Sequence, residues 1–105
     1  MRNLNLTHSR PQAGQEARVA WLVRHLDARL RDFGPGGPEV LEADQTAGLV
    51  KVRFPGHDPR QVLDRLARQG IQANCDGAAA VFHLSPDVPF EDLDYLWGCL
   101  FEILN

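Results

Sequence analysis

Residues 48–71 read GLVKVRFPGHDPRQVLDRLARQGI, and this stretch decides the fold because both of its elements have clear ends. Residues 49–54 alternate between apolar and polar side chains, which is the period of a strand with one buried face. Asp58 followed by Pro59 is a favourable N-cap and first helical position. Apolar side chains then recur at helical spacing until Gly70, a residue type that favours helix ends. The stretch therefore predicts a strand followed by an amphipathic helix.

The sequence after this stretch predicts a β-hairpin and a final helix. Residues 71–75 and 78–85 have strand character, and Asp76-Gly77 between them is a dipeptide favoured in type I′ hairpin turns. The last segment has an apolar stripe of helical period, although Pro89 stands where a capping side chain is expected. The stripe consists of Phe90, Leu93, Leu96, Trp97, Leu100 and Leu104.

The sequence before this stretch predicts one long helix and one more strand. Ser9 and Gln12 form an S-x-x-Q capping box, the local pattern of a helix start. An apolar stripe of helical period follows, and it ends at Gly34. Residues 39–44 form the additional strand candidate. The stripe consists of Val19, Leu22, Val23, Leu26, Leu30 and Phe33.

The complete order of predicted elements is αββαββα. Residues 1–8 are polar, and we expect them to form a flexible N-terminus ahead of a single domain at 9–105. Strands with one apolar face, accompanied by one-sided helices, pack best as two layers. The sequence therefore predicts an α+β two-layer sandwich, in which an antiparallel sheet of about four strands carries three helices on one face.

Composition and charge exclude several classes of protein. The net charge is −3 and the pI is about 5.7, and the arginines alternate with acidic residues, so a nucleic-acid partner is not expected. No apolar stretch approaches the length that spans a membrane, and the N-terminus does not have the pattern of a signal peptide. With no secretory signal, Cys75 and Cys99 are expected to be reduced thiols in a cytoplasmic protein.

The order of elements around residues 48–71 resembles the small C-terminal domain of fold-type I pyridoxal-phosphate enzymes. In that family a strand is followed by a helix such as DPRQVLDRLARQG, then by a hairpin, and then by a helix that opens with an acidic cluster, here Glu91-Asp92-Leu93-Asp94. The spacing is most similar to class V aminotransferases of the cysteine desulfurase type and to threonine aldolase-like lyases. The resemblance covers somewhat over half of the chain and does not include the catalytic large domain.

The resemblance also implies functional positions, most of which this chain does not match. Lys51 is the only lysine, and the cofactor lysine of the family belongs to the domain that this sequence does not contain. His83 stands where the family has an arginine that grips a substrate carboxylate. Cys75 lies within a predicted strand, whereas desulfurases carry their nucleophilic cysteine in a loop. We therefore expect no catalytic residue, no bound cofactor and no enzymatic activity.

One face of the predicted sheet is the best candidate for a site. Alternation places Phe82 and Leu84 toward the helices, so the intervening side chains point to the other, open face. These side chains would form a polar surface for a small carboxylate or other anion, or else an ordinary solvated or self-associating sheet face. The candidate face consists of Lys51, Arg53, Asn74, Val81 and His83.

Three further features have a functional and an ordinary interpretation. Arg53, His57 and Arg60 flank the start of the second helix, where an anion could bind, although a plain capped helix gives the same pattern. The cysteines and histidines do not have the spacing of a zinc site, so no metal is expected. Trp21 lies slightly off its helix stripe and is a candidate anchor for a protein partner.

These observations lead to two hypotheses of function. The first is a non-catalytic, stand-alone interaction module that forms a homo-oligomer or docks on a partner protein, covering apolar patches at Leu41, Leu49 and Val81 on the open face. The second is a subunit that completes a split pyridoxal-phosphate enzyme, or a binder of a small carboxylate at His83 and Arg53. Neither hypothesis involves a membrane or nucleic acid.

Overall fold

Five strands and three helices follow one another along the chain. The computed structural model describes residues 3–9 and 13–105. The elements are β1 (Leu4–Leu6), α1 (Glu16–Arg31), β2 (Glu39–Asp44), β3 (Leu49–Arg53), α2 (Pro59–Arg68), β4 (Ile71–Asp76), β5 (Ala79–His83) and α3 (Phe90–Leu104). Seven of them occur in the predicted order αββαββα, and β1 precedes them. None of the described helices combines the length and the apolar character needed to cross a lipid bilayer.

The strands form one mixed sheet in the order β1-β4-β5-β3-β2. Neighbouring strands are antiparallel except β1, which pairs with β4 in the parallel direction. The α+β class is confirmed, but the prediction of an antiparallel sheet of about four strands is wrong. A parallel neighbour requires a crossover connection, and here the whole segment from α1 to α2 separates the two paired strands.

The additional strand comes from the segment that we predicted to be flexible. Leu4 pairs with Ile71 and Leu6 with Ala73, and the backbone N–H of Leu4 donates to the Gly70 carbonyl at 2.7 Å. Leu4 and Leu6 are buried while Asn5 between them is exposed. Three residues are too few for alternation to be recognised in a sequence. Residues 4–6 nevertheless belong to the same sheet as the rest of the chain.

The start of the first helix also differs from the sequence expectation. Helix α1 begins at Glu16, and its N-cap is Gln15, whose side chain makes no capping hydrogen bond. The predicted capping box placed the start at Ser9, which lies in a loop. Its second member, Gln12, lies outside the described residues.

All three helices pack on one face of the sheet, around a single apolar core. Every predicted stripe position of α1 up to Leu30 is buried, and Phe82 and Leu84 face the core as expected. Helices α1 and α2 lie over the two halves of the sheet, and α3 contacts both helices. None of the described helices lies on the opposite face of the sheet.

The hairpin between β4 and β5 is confirmed, but its turn type is not. Asp76 pairs with Ala79, so the two loop residues are Gly77 and Ala78. Gly77 has φ +62°, and no described residue other than glycine has positive φ. Positive φ at the first loop residue alone is the pattern of a type II′ turn, because type I′ needs it at both.

The two later helices begin as the sequence predicts. Asp58 caps α2 by accepting a hydrogen bond from the backbone N–H of Arg60 at 3.0 Å, and Pro59 occupies the first helical turn. Helix α3 begins after Pro89 with no side-chain cap.

Candidate functional site

The candidate residues on the sheet lie together on the face opposite the helices. Lys51, Val81 and Asn74 are direct neighbours on β3, β5 and β4. His83 pairs with Leu49 one step further along the same face, while Arg53 lies near the far end of β3. We call this surface the open sheet face. Its grouping is as expected from alternation, and its use as a ligand or interaction site stays a prediction.

Both cations of the open sheet face are already paired with carboxylates. The Lys51 ammonium lies 3.2 Å from the Asp76 carboxylate, and the Arg53 guanidinium lies 2.7 Å from that of Glu39. Lys51 is on β3 and Asp76 on β4, so their ion pair spans the intervening strand β5. An incoming anion would have to displace an existing partner at either cation.

This ion pair also removes an apolar patch that we expected. Val81 lies on β5 beneath the span of the Lys51–Asp76 pair, and only 7% of its surface is exposed. Long basic side chains such as Lys51 commonly cover apolar surface with their methylene stem while the charged end remains in water. Of the three expected patches, Leu49 is half-buried and Leu41, on the edge strand β2, is exposed. The expected patch at Val81 is therefore wrong.

The N-terminal segment is held to the open sheet face by the candidate side chains. The Asn74 side-chain amide donates to the Thr7 carbonyl at 2.5 Å. The Ser9 hydroxyl donates to the Gly48 carbonyl at 3.0 Å and lies 3.4 Å from His83 Nδ1. Two of the candidate residues therefore contact residues 7–9, which gives them a structural role without any ligand.

The anion site considered at the start of α2 is occupied by the chain itself. The Asp58 carboxylate accepts the N–H group of Arg60, which an anion would otherwise bind. Arg53 is turned toward Glu39 rather than toward the helix. The ordinary interpretation, a capped helix, describes this region.

The two thiols differ in their surroundings. Cys99 is buried in α3, and burial raises the pKa of its thiol above the ordinary value of 9.0. Cys75 is exposed within β4, and its thiol donates to the Gly77 carbonyl at 3.3 Å. Among the described residues, no three side chains of His, Cys, Asp or Glu are grouped as metal ligands.

A polar cavity lies beside β1, and the sequence did not indicate it. It has a volume of about 350 Å³ and lies between Asn5, His8, Ser85, Asp87 and Asp92. The Ser85 hydroxyl spans part of it by donating to the His8 carbonyl at 3.3 Å. The sequence could not reveal this cavity, because it depends on the strand β1 that the sequence analysis missed.

A second surface lies on the outside of the helix layer, where α1 and α3 run side by side and parallel. Trp21 stacks on Phe90 at 4.7 Å between ring centroids. One helical turn further on, His25 Nε2 lies 3.2 Å from the Asp94 carboxylate. Beyond that, Trp97 Nε1 donates to the Arg29 carbonyl at 2.9 Å. We call the exposed side of these two helices the outer helix surface.

The outer helix surface exposes large aromatic side chains. Trp21 is 42% exposed and Phe101 is 47% exposed, and both belong to stacked clusters rather than lying alone. Around Phe101, the rings of Phe33 and Trp97 lie at centroid distances of 6.1 and 5.3 Å. The off-stripe position of Trp21 was the sequence signal of this surface. Phe101 was missed because its neighbours on α3 are also apolar.

A glycine lies in the middle of α3 on the same surface. Mid-helix glycine is about 1 kcal/mol less favourable than alanine. A Cβ atom built on Gly98 would meet no atom of the described residues within 4 Å, apart from its own helix. Nothing in the described parts of the chain therefore requires a glycine at this position.

Comparisons with known proteins identify the fold. No family model and no curated protein matches the chain. Among solved structures, a NifS-like protein is similar with a TM-score of 0.74 and 17% identity, over 86% of this chain and 28% of that one. A Sphingomonas wittichii serine palmitoyltransferase is similar with a TM-score of 0.66 and 17% identity, over 87% and 25%. Both are fold-type I pyridoxal-phosphate enzymes.

This chain has the fold of their small domain. The resemblance inferred from residues 48–71 is thus confirmed for the fold, and it extends over most of the chain rather than somewhat over half of it. The chain spans about a quarter of the length of the two similar structures. At 17% identity, the similarity shows the fold and does not show the activity.

Proposed function

We propose that this chain is a non-catalytic interaction module with a small-domain fold, which acts by associating with itself or with a partner protein. The observation that carries the proposal is the outer helix surface. Trp21 and Phe101 are exposed there in stacked clusters, although the core beneath is complete. Aromatic side chains are enriched in protein interfaces because they supply large rigid contact areas.

The absence of catalysis in this proposal rests on the chemistry of the candidate residues. Lys51, the only lysine, is held by Asp76 on the sheet surface. His83 lies beside Ser9 and lacks the planar fork of donors with which arginine binds a carboxylate. Cys75 has no histidine among its described hydrogen-bond partners. We also propose a cytoplasmic location, on the basis of the two unpaired cysteines.

The experiment that tests this function compares association before and after removal of the two aromatic side chains. Light scattering during size-exclusion chromatography is measured for the chain and for a Trp21→Ser/Phe101→Ser double variant, with Leu41→Ser as the matched control on β2. We expect loss of self-association, or of binding to an identified partner, in the double variant alone. A chain that stays monomeric and binds no partner that depends on these two residues would contradict the proposal.

A second candidate function is that of a subunit of a split pyridoxal-phosphate enzyme. Two observations favour it: the open sheet face carries none of the described helices, and each of the similar structures is more than three times as long as this chain. In such an enzyme, a separately encoded large domain would supply the cofactor lysine and cover this face. A neighbouring reading frame that encodes a large domain, and activity only on mixing the two proteins, would support this alternative. A His83→Ala chain that complements as well as the original would count against His83 having a role.

A small carboxylate ligand on the open sheet face is the related alternative. Arg53 is available to it only when Glu39 releases the guanidinium. A Glu39→Gln variant should therefore bind carboxylates more tightly than the original chain, as measured by a thermal-shift screen. No stabilisation of either protein by any carboxylate would remove this alternative.

A further inference from the structure

We propose that the outer helix surface binds a second copy of this chain, with α1 of each copy lying over α3 of the other, about a twofold axis parallel to the helices. This inference rests on the proposed interaction function and specifies its partner and geometry. It follows from the charges, the exposed positions and the relative direction of the two helices.

The two helices carry opposite charges. Helix α1 contains four arginines and two acidic residues, whereas α3 contains four acidic residues and no basic one. Helix α1 therefore has a net charge of +2 and α3 one of −4, with histidine counted as neutral. A second copy that places α1 over α3 brings opposite charges together, and it does so twice in a symmetric pair.

The exposed positions of α1 form one line along the helix. Arg24, Ala28 and Arg31 are exposed and lie on one face, opposite the buried positions Val19 and Leu26. Arg24 has no ion-pair partner in the described part of the chain, and Arg31 pairs with Asp27 of its own helix at 2.8 Å. The centre of this line is a small side chain with a cation on either side.

Helix α3 has the complementary arrangement. Glu91, Gly98 and Glu102 lie along the face opposite the buried positions Leu96 and Ile103. The two glutamates are exposed and form no ion pair with any of residues 3–9 and 13–105. The centre of this line is Gly98, where open space would let another helix approach closely.

The lines match in register. His25 of α1 contacts Asp94 of α3, and Arg29 contacts Trp97. The two contacts join positions 69 and 68 residues apart in the sequence, so the helices run parallel with a nearly constant offset. Rotation about a twofold axis along the helices keeps the position along the helix and exchanges α1 with α3. Arg24 then lies near Glu91 of the partner subunit, Ala28 near Gly98 of the partner subunit, and Arg31 near Glu102 of the partner subunit.

Other modes of self-association are less favourable. A twofold axis perpendicular to the helices would place α3 over α3 and bring the acidic residues together. Extension of the sheet is opposed at β2 by an irregular register between Val40 and Glu42 and by three acidic side chains. At the other edge, β1 has only three residues. The outer helix surface is thus the favoured contact.

The contact area sets the expected strength. Two adjacent helices of this length cover roughly 24 Å by 20 Å, or about 500 Å² per copy. A total near 1,000 Å² is at the lower limit for a specific interface, so we expect a dimer that forms between micromolar and millimolar concentration.

Charge reversal provides the first test. Sedimentation equilibrium is measured for the intact chain, for Arg24→Glu, for Glu91→Arg, and for the double variant. We expect each single change to raise the dimer Kd by about tenfold or more, and the double variant to return it toward the original value. Arg60→Glu, on the exposed side of α2, is the matched control and should leave Kd unchanged. A double variant no better than the single ones would overturn the geometry.

The second test separates the interface from a folding defect. Gly98→Gln should raise the melting temperature of the dilute monomer, because glutamine is the better helix former and its Cβ atom meets open space, yet it should abolish dimerisation. Ala67→Gln, on the exposed side of α2, is the matched control and should leave dimerisation intact. Dimerisation that survives Gly98→Gln would overturn the inference while leaving the interaction function in place. A chain that stays monomeric at every concentration would also overturn the proposed dimer. The interaction function would then be tested with a different partner protein and the Trp21→Ser/Phe101→Ser variant.

Discussion

The open sheet face and the outer helix surface differ in how the chain covers them. On the sheet, Lys51 and Asp76 form an ion pair across β5, and Val81 beneath them is 7% exposed. On the helices, Trp21 and Phe101 remain 42% and 47% exposed even though they stack on neighbouring rings. A sheet face that carries no helix can therefore bury an apolar residue under its own side chains. A helix surface can expose aromatic rings even though the core beneath it is packed.

The difference changes where an interaction surface should be sought. The sequence directed attention to the sheet, because alternation along the strands left one face without helices. The side chains of this chain satisfy one another there: Lys51 with Asp76, Arg53 with Glu39, and Asn74 with the Thr7 carbonyl. On the outer helix surface, several charged and aromatic side chains remain available for contact with another molecule.

The largest expected effect tests whether Val81 is as well covered as a core residue. Val81→Asn should lower the free energy of unfolding by about 2 to 3 kcal/mol, because it removes buried apolar surface and buries an amide. Urea denaturation measures this effect. Leu41→Asn, a similar change at a position that is 49% exposed, is the control and should cost less than about 0.5 kcal/mol. Equal effects at the two positions would mean that the ion pair does not cover Val81.

The next prediction concerns the outer helix surface and has the opposite sign. Gly98→Ala should raise the free energy of unfolding of the dilute monomer by about 0.5 to 1 kcal/mol, because alanine favours helix and the added Cβ meets open space. Thermal unfolding at low micromolar concentration measures it. A loss of stability would show that Gly98 is required by this chain's own packing, and not by a second molecule.

A smaller effect is expected from the ion pair itself. Lys51→Met and Asp76→Asn should show a coupling free energy of about 0.5 to 1 kcal/mol in a double-mutant cycle, because the pair is partly exposed. The coupling should weaken as salt is added. Arg68 and Asp64, an exposed pair on α2, provide the comparison and should couple less strongly. Coupling that does not respond to salt would argue that packing of the Lys51 stem dominates.

The smallest expected effect concerns the two thiols, whose labelling rates should differ because Cys75 is exposed and Cys99 is buried. This test needs no substitution, so the stability of the protein at neutral pH is unchanged. A thiol reagent should label Cys75 at once and Cys99 only as the protein unfolds. Because burial raises the pKa of Cys99 above 9.0, its contribution to stability is complete below that pH and is lost as the pH rises through the folded pKa. Labelling followed by mass spectrometry at several pH values measures both. Rapid labelling of Cys99 in the folded protein would contradict its burial.

Most of the fold could be predicted because its signals are local. The capped start of α2 at Asp58-Pro59 and the apolar stripes of α1 and α3 require only neighbouring residues. Strand β1 could not be predicted, because three residues carry no period and their pairing with β4 joins positions far apart in the chain. The turn at Gly77 was assigned the wrong type, since the end of β4 at Asp76 moved the loop by one residue.

The candidate surfaces were predictable to different degrees. Alternation correctly grouped Lys51, Val81 and His83, because strand geometry fixes which face a side chain takes. It could not show that Asp76 would reach across β5, since side-chain conformations are not contained in a period. The outer helix surface was indicated only by Trp21, because its other members depend on how α1 and α3 lie beside each other.

The most direct measurement of the central claim is an NMR dilution series of the unmodified chain. If the outer helix surface is the contact, amide signals of Trp21, Arg24, Ala28, Gly98 and Phe101 should shift with concentration, while those of Lys51, Val81 and His83 remain constant. Shifts confined to β3, β4 and β5 would place the contact on the open sheet face and contradict the account. Signals that are constant everywhere up to millimolar concentration would contradict self-association altogether.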